Sequence, residues 1–312
     1  MHTRFQALLL REWMQYRTGW LWLTLSGPVL AVVLELLRPW TVQPDSLVLM
    51  GTSGAITLTA MIFWLAVPVQ ALGLARRDEN DRSIEFWMTL PVGHWASVGA
   101  TLLMHLFLLP LAALGTAFLC GTGIGPILVL VKHGPQALLD VAWLQASAAN
   151  AALFARMAVS LLLGILWLMP VVLVAMVASA WLKRWGLPLL AAGLAVAHVL
   201  GGGLREQTSP VTKFLGRLLM QAQSRITDAG LIEAGSGDLA TWWITPQQVA
   251  GETWLGLERQ PWSMLGLGLL VSAACYALLV AHRGRRHGGP RSIPGFNASA
   301  FGRRGSPVTG VD

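Results

Sequence analysis

Ala75-Arg76-Arg77-Asp78-Glu79-Asn80-Asp81-Arg82-Ser83-Ile84-Glu85-Phe86-Trp87-Met88-Thr89-Leu90-Pro91-Val92 is the densest cluster of charge in the chain, and it lies between two long apolar segments. A polar strip flanked in this way separates segments that cross a bilayer from a connector that does not. The strip begins as a solvated run and turns amphipathic at Ser83, whose hydroxyl can cap a helix N-terminus. Ile84, Trp87 and Met88 follow at i, i+3 and i+4, one bulky apolar stripe on one face. Pro91 cannot continue a helix and disfavours helical geometry at Leu90. That leaves roughly seven residues, about 10 Å of helix, too short to be stable alone in water. Such a helix needs a surface to pack on. The groove of a soluble partner would serve, and a plain hydrophilic loop with one membrane-facing end also fits the same residues.

Outward from this strip the chain is built for lipid. Apolar residues are 54% and charged residues 12%, about half the roughly 25% of soluble domains. Fifteen tryptophans are more than a water-soluble core of this length needs. The Ala7–Leu10 run is too short for the apolar region of a secretory signal and is followed by Arg11 and Glu12. Cys120 and Cys275 are the only cysteines, and both fall in apolar segments, so neither a disulfide framework nor a zinc site is indicated.

Six spans are expected, at about Trp20–Leu37, Leu47–Leu74, Trp95–Cys120, Met157–Trp181, Leu187–Leu204 and Trp262–Ala281. Residues 1–17 read as a separate interfacial helix, with Phe5, Leu8, Leu9, Trp13 and Tyr16 on one face and Arg4, Arg11 and Gln15 on the other. Glu12 projects onto the apolar side, where it either snorkels to water or pairs with an arginine of the neighbouring loop. Pro28 should kink the first span, and Glu35 and Arg38 at its far end can pair. Gly51-Thr52-Ser53-Gly54, Thr57 and Thr59 suit close helix packing. Between Gly121 and Ala155 the reading stays open. Ile127–Val131 is cut short by Lys132-His133-Gly134-Pro135, Leu138–Phe154 fits an interfacial helix, and the region as a whole also admits a re-entrant hairpin. Residues 205–261 form a polar region whose Leu215–Ile226 part is helical. The chain thus divides into a six-helix transmembrane domain over 1–282 and a disordered tail over 283–312, rich in Gly, Arg, Ser and Pro. Arg283, Arg285, Arg286 and Arg291 suit contact with anionic lipid headgroups, or serve simply as a topology anchor.

Six spans put both termini on one side. That side then carries 14 of the 22 basic residues against six acids, so the positive-inside rule assigns both termini and the 76–92 strip to the cytoplasm and 205–261 to the outside. The chain carries no G-x-x-x-x-G-K-[ST] loop, and none of Lys132, Lys183 and Lys213 follows a glycine, so no phosphate cradle of that type exists here. No H-E-x-x-H or G-x-S-x-G motif occurs, and the histidines show no ligand spacing. No catalytic, cofactor-binding or metal-binding residue is expected, and the membrane explains the basic tail without a nucleic-acid partner. Glu35, His105 and His198 are the intramembrane polar groups. Such groups are costly in lipid and are often functional, although a neutral imidazole bonded to a neighbouring helix is the commoner case.

Glu79, Arg82-Ser83-Ile84-Glu85-Phe86 and Leu90-Pro91-Val92, with an apolar segment close behind, resemble the cytoplasmic coupling region of ABC-2 type transporter permeases. The Arg11-Glu12 pair and Trp13 before the first span resemble that family's amphipathic entry helix. Where the family often carries a lysine at the start of the helix after the coupling region, Thr101 stands here. The resemblance implies an all-α polytopic protein of ABC-2 architecture in a cell (inner) membrane. It implies export of an amphipathic or lipid-like substrate, powered by ATP and Mg on two copies of a separate ATPase, with a second permease copy or a related one as partner and lipids around it. It makes Glu79, Arg82, Ser83, Ile84, Glu85, Phe86, Trp87, Met88, Leu90 and Pro91 the ATPase-docking residues, and it implies that the first, second and fifth spans tilt to change access. Two rivals remain at this point. An ion-coupled secondary transporter is disfavoured because no spaced chain of Asp and Glu crosses the membrane. A non-transporting membrane scaffold is the other. A single thiol introduced as Ser83→Cys should react with an impermeant maleimide only after the membrane is permeabilised; labelling in intact cells would place the strip outside.

Overall fold

In the computed structural model, residues 2–38, 42–80, 94–182, 210–230 and 245–287 are described. Among them every regular element is helical: α1 (His2–Leu37), α2 (Pro44–Asn80), α3 (His94–Leu102), a π-helical turn (Leu103–Leu108), α4 (Leu109–His133), α5 (Ala137–Asp140), α6 (Trp143–Leu182), α7 (Pro210–Gly230), α8 (Pro246–Glu258) and α9 (Trp262–His287). Among the described residues five stretches are long and apolar enough to cross a membrane: Phe5–Leu37, Pro44–Ala71, His94–His133, Trp143–Leu182 and Trp262–Arg285. Helices are what lipid demands, since each satisfies its own backbone polar groups. This is the build of a multi-pass membrane protein. The expected fifth span, Leu187–Leu204, lies outside the described residues.

Several boundaries differ from the sequence reading. No break divides an interfacial helix at 1–17 from a first span at Trp20: α1 is one helix through both, and it stays helical through Pro28. The third span does not stop at Cys120 but continues to His133. Gly134, at φ +86°, then turns the chain in the left-handed region that glycine tolerates. Leu138–Phe154 is not a separate interfacial helix. Its first residues form the single turn α5, and from Trp143 it is the opening of α6, of which the expected fourth span is only the later part. The charged strip starts inside α2, which persists to Asn80. At the other terminus α9 takes in Arg283–His287, the first residues of the expected tail. Helices α7 and α8 lie within the 205–261 region, and α7 contains the expected 215–226 helix.

Helix α6 is the mast of the bundle. Its buried row Met157, Leu161, Ile165, Leu168, Val172 and Met176 packs with Ile56, Ala60 and Val67 of α2, Leu218 and Ala222 of α7, and Leu265, Cys275 and Leu279 of α9. Helix α8 runs beside the first part of α6, where Arg156 pairs with Glu252. At its end Trp167 Nε1–H donates to Gln260 Oε1 at 3.2 Å.

Helix α2 is antiparallel to both α1 and α4, and small residues set the approach. A Cβ on Gly27 would lie 2.8 Å from Thr59 Cα, one on Gly121 2.7 Å from Thr52 Cα, and one on Gly125 2.8 Å from Val48 Cα. These are backbone contacts that cannot be relieved by a rotamer change. The Gly51–Gly54 segment, with Thr52 and Thr59, therefore packs closely as its composition indicates. At the far end, Arg38 pairs with Glu35 at 3.1 Å, Lys132 Nζ donates to Arg38 O, and Ala142 N–H donates to Asp45 Oδ1 at 2.9 Å. At the near end, Tyr276 donates to Trp95 O at 2.8 Å and the Trp181 and His282 rings lie 4.8 Å apart. The start of α1, the start of α3 and the ends of α6 and α9 thus share one end of the bundle.

Gly121→Ala and Gly125→Ala should each cost about 1–3 kcal/mol through overpacking and lower the melting temperature of the detergent-solubilised chain. Gly115→Ala, which meets nothing within 4 Å, should leave it unchanged or raise it.

Candidate functional site

The residues with the most unusual setting are Glu12 and His105. Glu12, Tyr16 and Trp20 recur every four residues on one face of α1. Thr101 and His105 have the same spacing on the facing helix. Between them lies the switch from α3 to the π-turn, where Leu109 N–H reaches back five residues to Met104 O. Pro110 supplies the local reason. It has no N–H to offer Leu106 O, and its ring needs room at that carbonyl. A wider turn gives that room.

Glu12 and His105 are each 3% exposed. His105 Nε2 lies 3.3 Å from Glu12 Oε2, Thr101 Oγ1 lies 3.2 Å from Glu12 Oε1, and the Arg11 guanidinium lies 3.8 Å from the same oxygen. The Thr101 hydroxyl also faces Ser97 O at 3.2 Å, so its single hydrogen serves one acceptor at a time. The imidazole is boxed by aromatic rings. Tyr16 meets it edge-on at 5.0 Å and Trp20 at 5.7 Å, and Trp20 in turn stacks on Phe63 at 5.0 Å. A buried carboxylate loses several kcal/mol of hydration, and only well-placed donors offset that. Glu12 has them. It does not snorkel to water but is turned inward onto α3; the loop whose arginines were expected to meet it lies outside the described residues.

This tie is one of three on the segment that follows the charged strip. Ser97, one turn before Thr101, receives a hydrogen bond from Arg283 of α9 at 3.2 Å, and Trp95 is held by Tyr276 through its carbonyl and its ring. The start of α3 is therefore tethered to α1 on one side and α9 on the other. Beside the tie an open apolar groove of about 350 Å³ runs between α1 and the π-turn, with Leu9, Leu10 and Trp13 on one wall and Met104 and Leu108 on the other.

Other sequence-selected residues fall elsewhere. Glu79 sits in the last turn of α2. Arg82, Ser83, Ile84, Glu85, Phe86, Trp87, Met88, Leu90 and Pro91, and His198, lie outside the described residues. Glu35 is at the far end with Arg38, remote from His105 along the bundle. Thr101, Tyr16, Trp20 and Ser97 escaped selection as site residues, although the repeated i, i+4 spacing of Glu12 with Tyr16 and of Thr101 with His105 carried the signal. Among the described residues no group of three His, Cys, Asp or Glu side chains is placed to hold a metal ion. Neither family models, curated proteins nor solved structures give a match to the chain.

Glu12→Ala should cost about 3–5 kcal/mol, the range for breaking a buried pair, against about 1 kcal/mol for Thr101→Val, which removes one neutral donor. Thermal unfolding of the two variants in the same detergent checks the order.

Proposed function

We propose that this chain is the membrane-spanning subunit of an ATP-driven exporter of the ABC-2 type, with hydrolysis on a separate ATPase that docks on the 76–92 strip. The observation that carries the reading is the tethering of α3. The strip joins the end of α2 to the start of α3, and the first turns of α3 are bonded to α1 through Glu12 and to α9 through Ser97 and Trp95. A push on the strip would therefore be delivered to four spans at once.

The resemblance of Glu79, Arg82–Phe86 and Leu90–Val92 to a coupling region supplies the partner. The five long apolar helices supply the membrane. Six spans, with 187–204 as the fifth, cytoplasmic termini, a paired permease copy and an amphipathic or lipid-like cargo complete the proposal. The division of labour follows from chemistry. This sequence has no loop of the Walker type to cradle a nucleotide, so its role would be mechanical: α1, α2 and the fifth span tilt as the ATPases close.

The full chain, purified from membranes of its own host, should carry a P-loop ATPase in stoichiometric amount, and Trp87→Asp should reduce that ATPase at least tenfold while leaving the permease in the membrane. Unaltered ATPase binding and ATP-dependent transport in Trp87→Asp would refute the docking assignment.

A further inference from the structure

We propose that α7 reaches back among the membrane-spanning helices, and that its outward face, around Lys213 and Arg217, lines a water-filled recess that binds the anionic head of an amphipathic molecule. As a binding site this stands without the ATPase assignment; only the step from ligand to cargo rests on the exporter reading.

The depth of α7 follows from its neighbours. A Cβ built on Gly268 would lie 3.0 Å from Pro170 Cγ and 3.6 Å from Leu218 Cδ2. Pro170 and Gly268 both lie within apolar stretches long enough to cross a membrane. Arg225, further along α7, donates to Gly256 O of α8 at 3.3 Å. Followed backwards from Arg225 to Leu218, α7 therefore descends from the level of α8 to a point inside the α9 span. Gly268 lies about 9 Å along α9 from Trp262, and Lys213 lies about 7 Å beyond Leu218, at 1.5 Å per residue. Trp262 is exposed, the kind of aromatic that marks a membrane edge. Lys213 then comes about 16 Å into a hydrocarbon slab about 30 Å thick. Part of the 205–261 region, expected outside, thus stands among the spans.

One face of α7 is apolar and covered. Leu218 and Ala222 are buried, with Phe214 and Leu215 packed on the core they share with α6 and α9. The opposite face is polar and open. Lys213, Gly216, Arg217 and Met220 form an exposed row at helical spacing, and a Cβ on Gly216 would meet nothing within 4 Å. Among the described residues neither cation has a hydrogen bond or an ion pair, and α7 holds no acid before Asp228. Two like charges one turn apart repel each other. A cation facing lipid at this depth is costly, and snorkelling relieves it only near a helix end. Water around the row removes the second cost. An anion between the two side chains removes the first, through charge-assisted hydrogen bonds. Leu219 and Met220, exposed beside Arg217, offer apolar surface to the anion's tail. The ligand class is therefore a phosphate-like head on a hydrocarbon tail, and under the exporter reading this is the class of the cargo.

The test uses the full chain in lipid nanodiscs, which open both membrane faces to reagent, with Cys120→Ala and Cys275→Ala leaving no native thiol. Met220→Cys is compared with Leu270→Cys on α9. Both positions are 69% exposed, but Leu270 lies about 200° around α9 from Gly268, on the side away from α7. Modification by sulfonatoethyl methanethiosulfonate, an impermeant anion, is followed by mass of the intact chain. It should be at least about tenfold faster at Met220→Cys than at Leu270→Cys, and its preference over the trimethylammonium analogue should fall at least about fivefold when Arg217→Gln is added, because a cleft lined by one sign of charge concentrates the opposite ion. Dodecyl phosphate should protect Met220→Cys, and dodecyltrimethylammonium should not. Equal rates at the two positions put the face against lipid or protein and overturn the recess. A reagent preference indifferent to Arg217→Gln, or the same effect from both amphiphiles, overturns the anion site. Gly216→Cys, one turn earlier in open space, gives the same readout if Met220→Cys is unstable. No arm uses nucleotide or an ATPase, so failure here leaves the docking assignment standing, and the reverse.

Discussion

A carboxylate out of water must be met by donors, and the near end of this bundle is arranged around meeting one. Glu12 could have ended as an exposed blemish on an otherwise apolar face. It is instead the residue that fixes α1 against α3, and through Ser97 and Trp95 the same segment is fixed to α9. In a low-dielectric setting such bonds are costly to lose, because the partners left behind have no water to turn to. The contact is therefore specific in a way that apolar packing between helices and lipid tails is not.

The rest of the architecture follows a different rule, close approach. The α2 helix contacts α1 and α4 at glycines, with backbone against backbone. Large side chains gather instead around α6, which faces α2, α7 and α9 along its length. A stiff glycine-seamed half and a mast-centred half meet at the π-turn. That turn is the local irregularity Pro110 imposes on an otherwise continuous helix, and it carries His105, whose acidic partner Glu12 is buried.

Much of this was legible before any coordinates. Apolar length located the stretches that cross, small residues marked the close contacts of α2, and the three-residue spacing of Glu35 and Arg38 gave their pair. What escaped was long-range. Periodicity put Glu12 on the wrong side of an amphipathic helix but could not say which helix would receive it, because Thr101 and His105 are some ninety residues away in sequence. The segment at 1–17 was expected as a separate helix, yet it runs on into the first span. Arg11 and Glu12 look like residues that keep a helix at the surface, yet both are largely buried once partners exist. Lys132-His133-Gly134-Pro135 correctly ended a helix, but the segments on either side were longer than a minimal span and so were read as something else. The docking residues of the strip rest on resemblance.

The length of α6 has a consequence of its own. Its 40 residues make about 60 Å of helix, against a hydrocarbon slab of about 30 Å. Fitting that inside the slab by leaning would need about 60° from the normal, beyond the roughly 40° limit found for spanning helices. The α3–π–α4 unit is as long. Taken as straight helices, both exceed the hydrocarbon slab, so helix rather than loop would carry their ends toward the headgroups unless Pro170 in one and the π-turn in the other bend them.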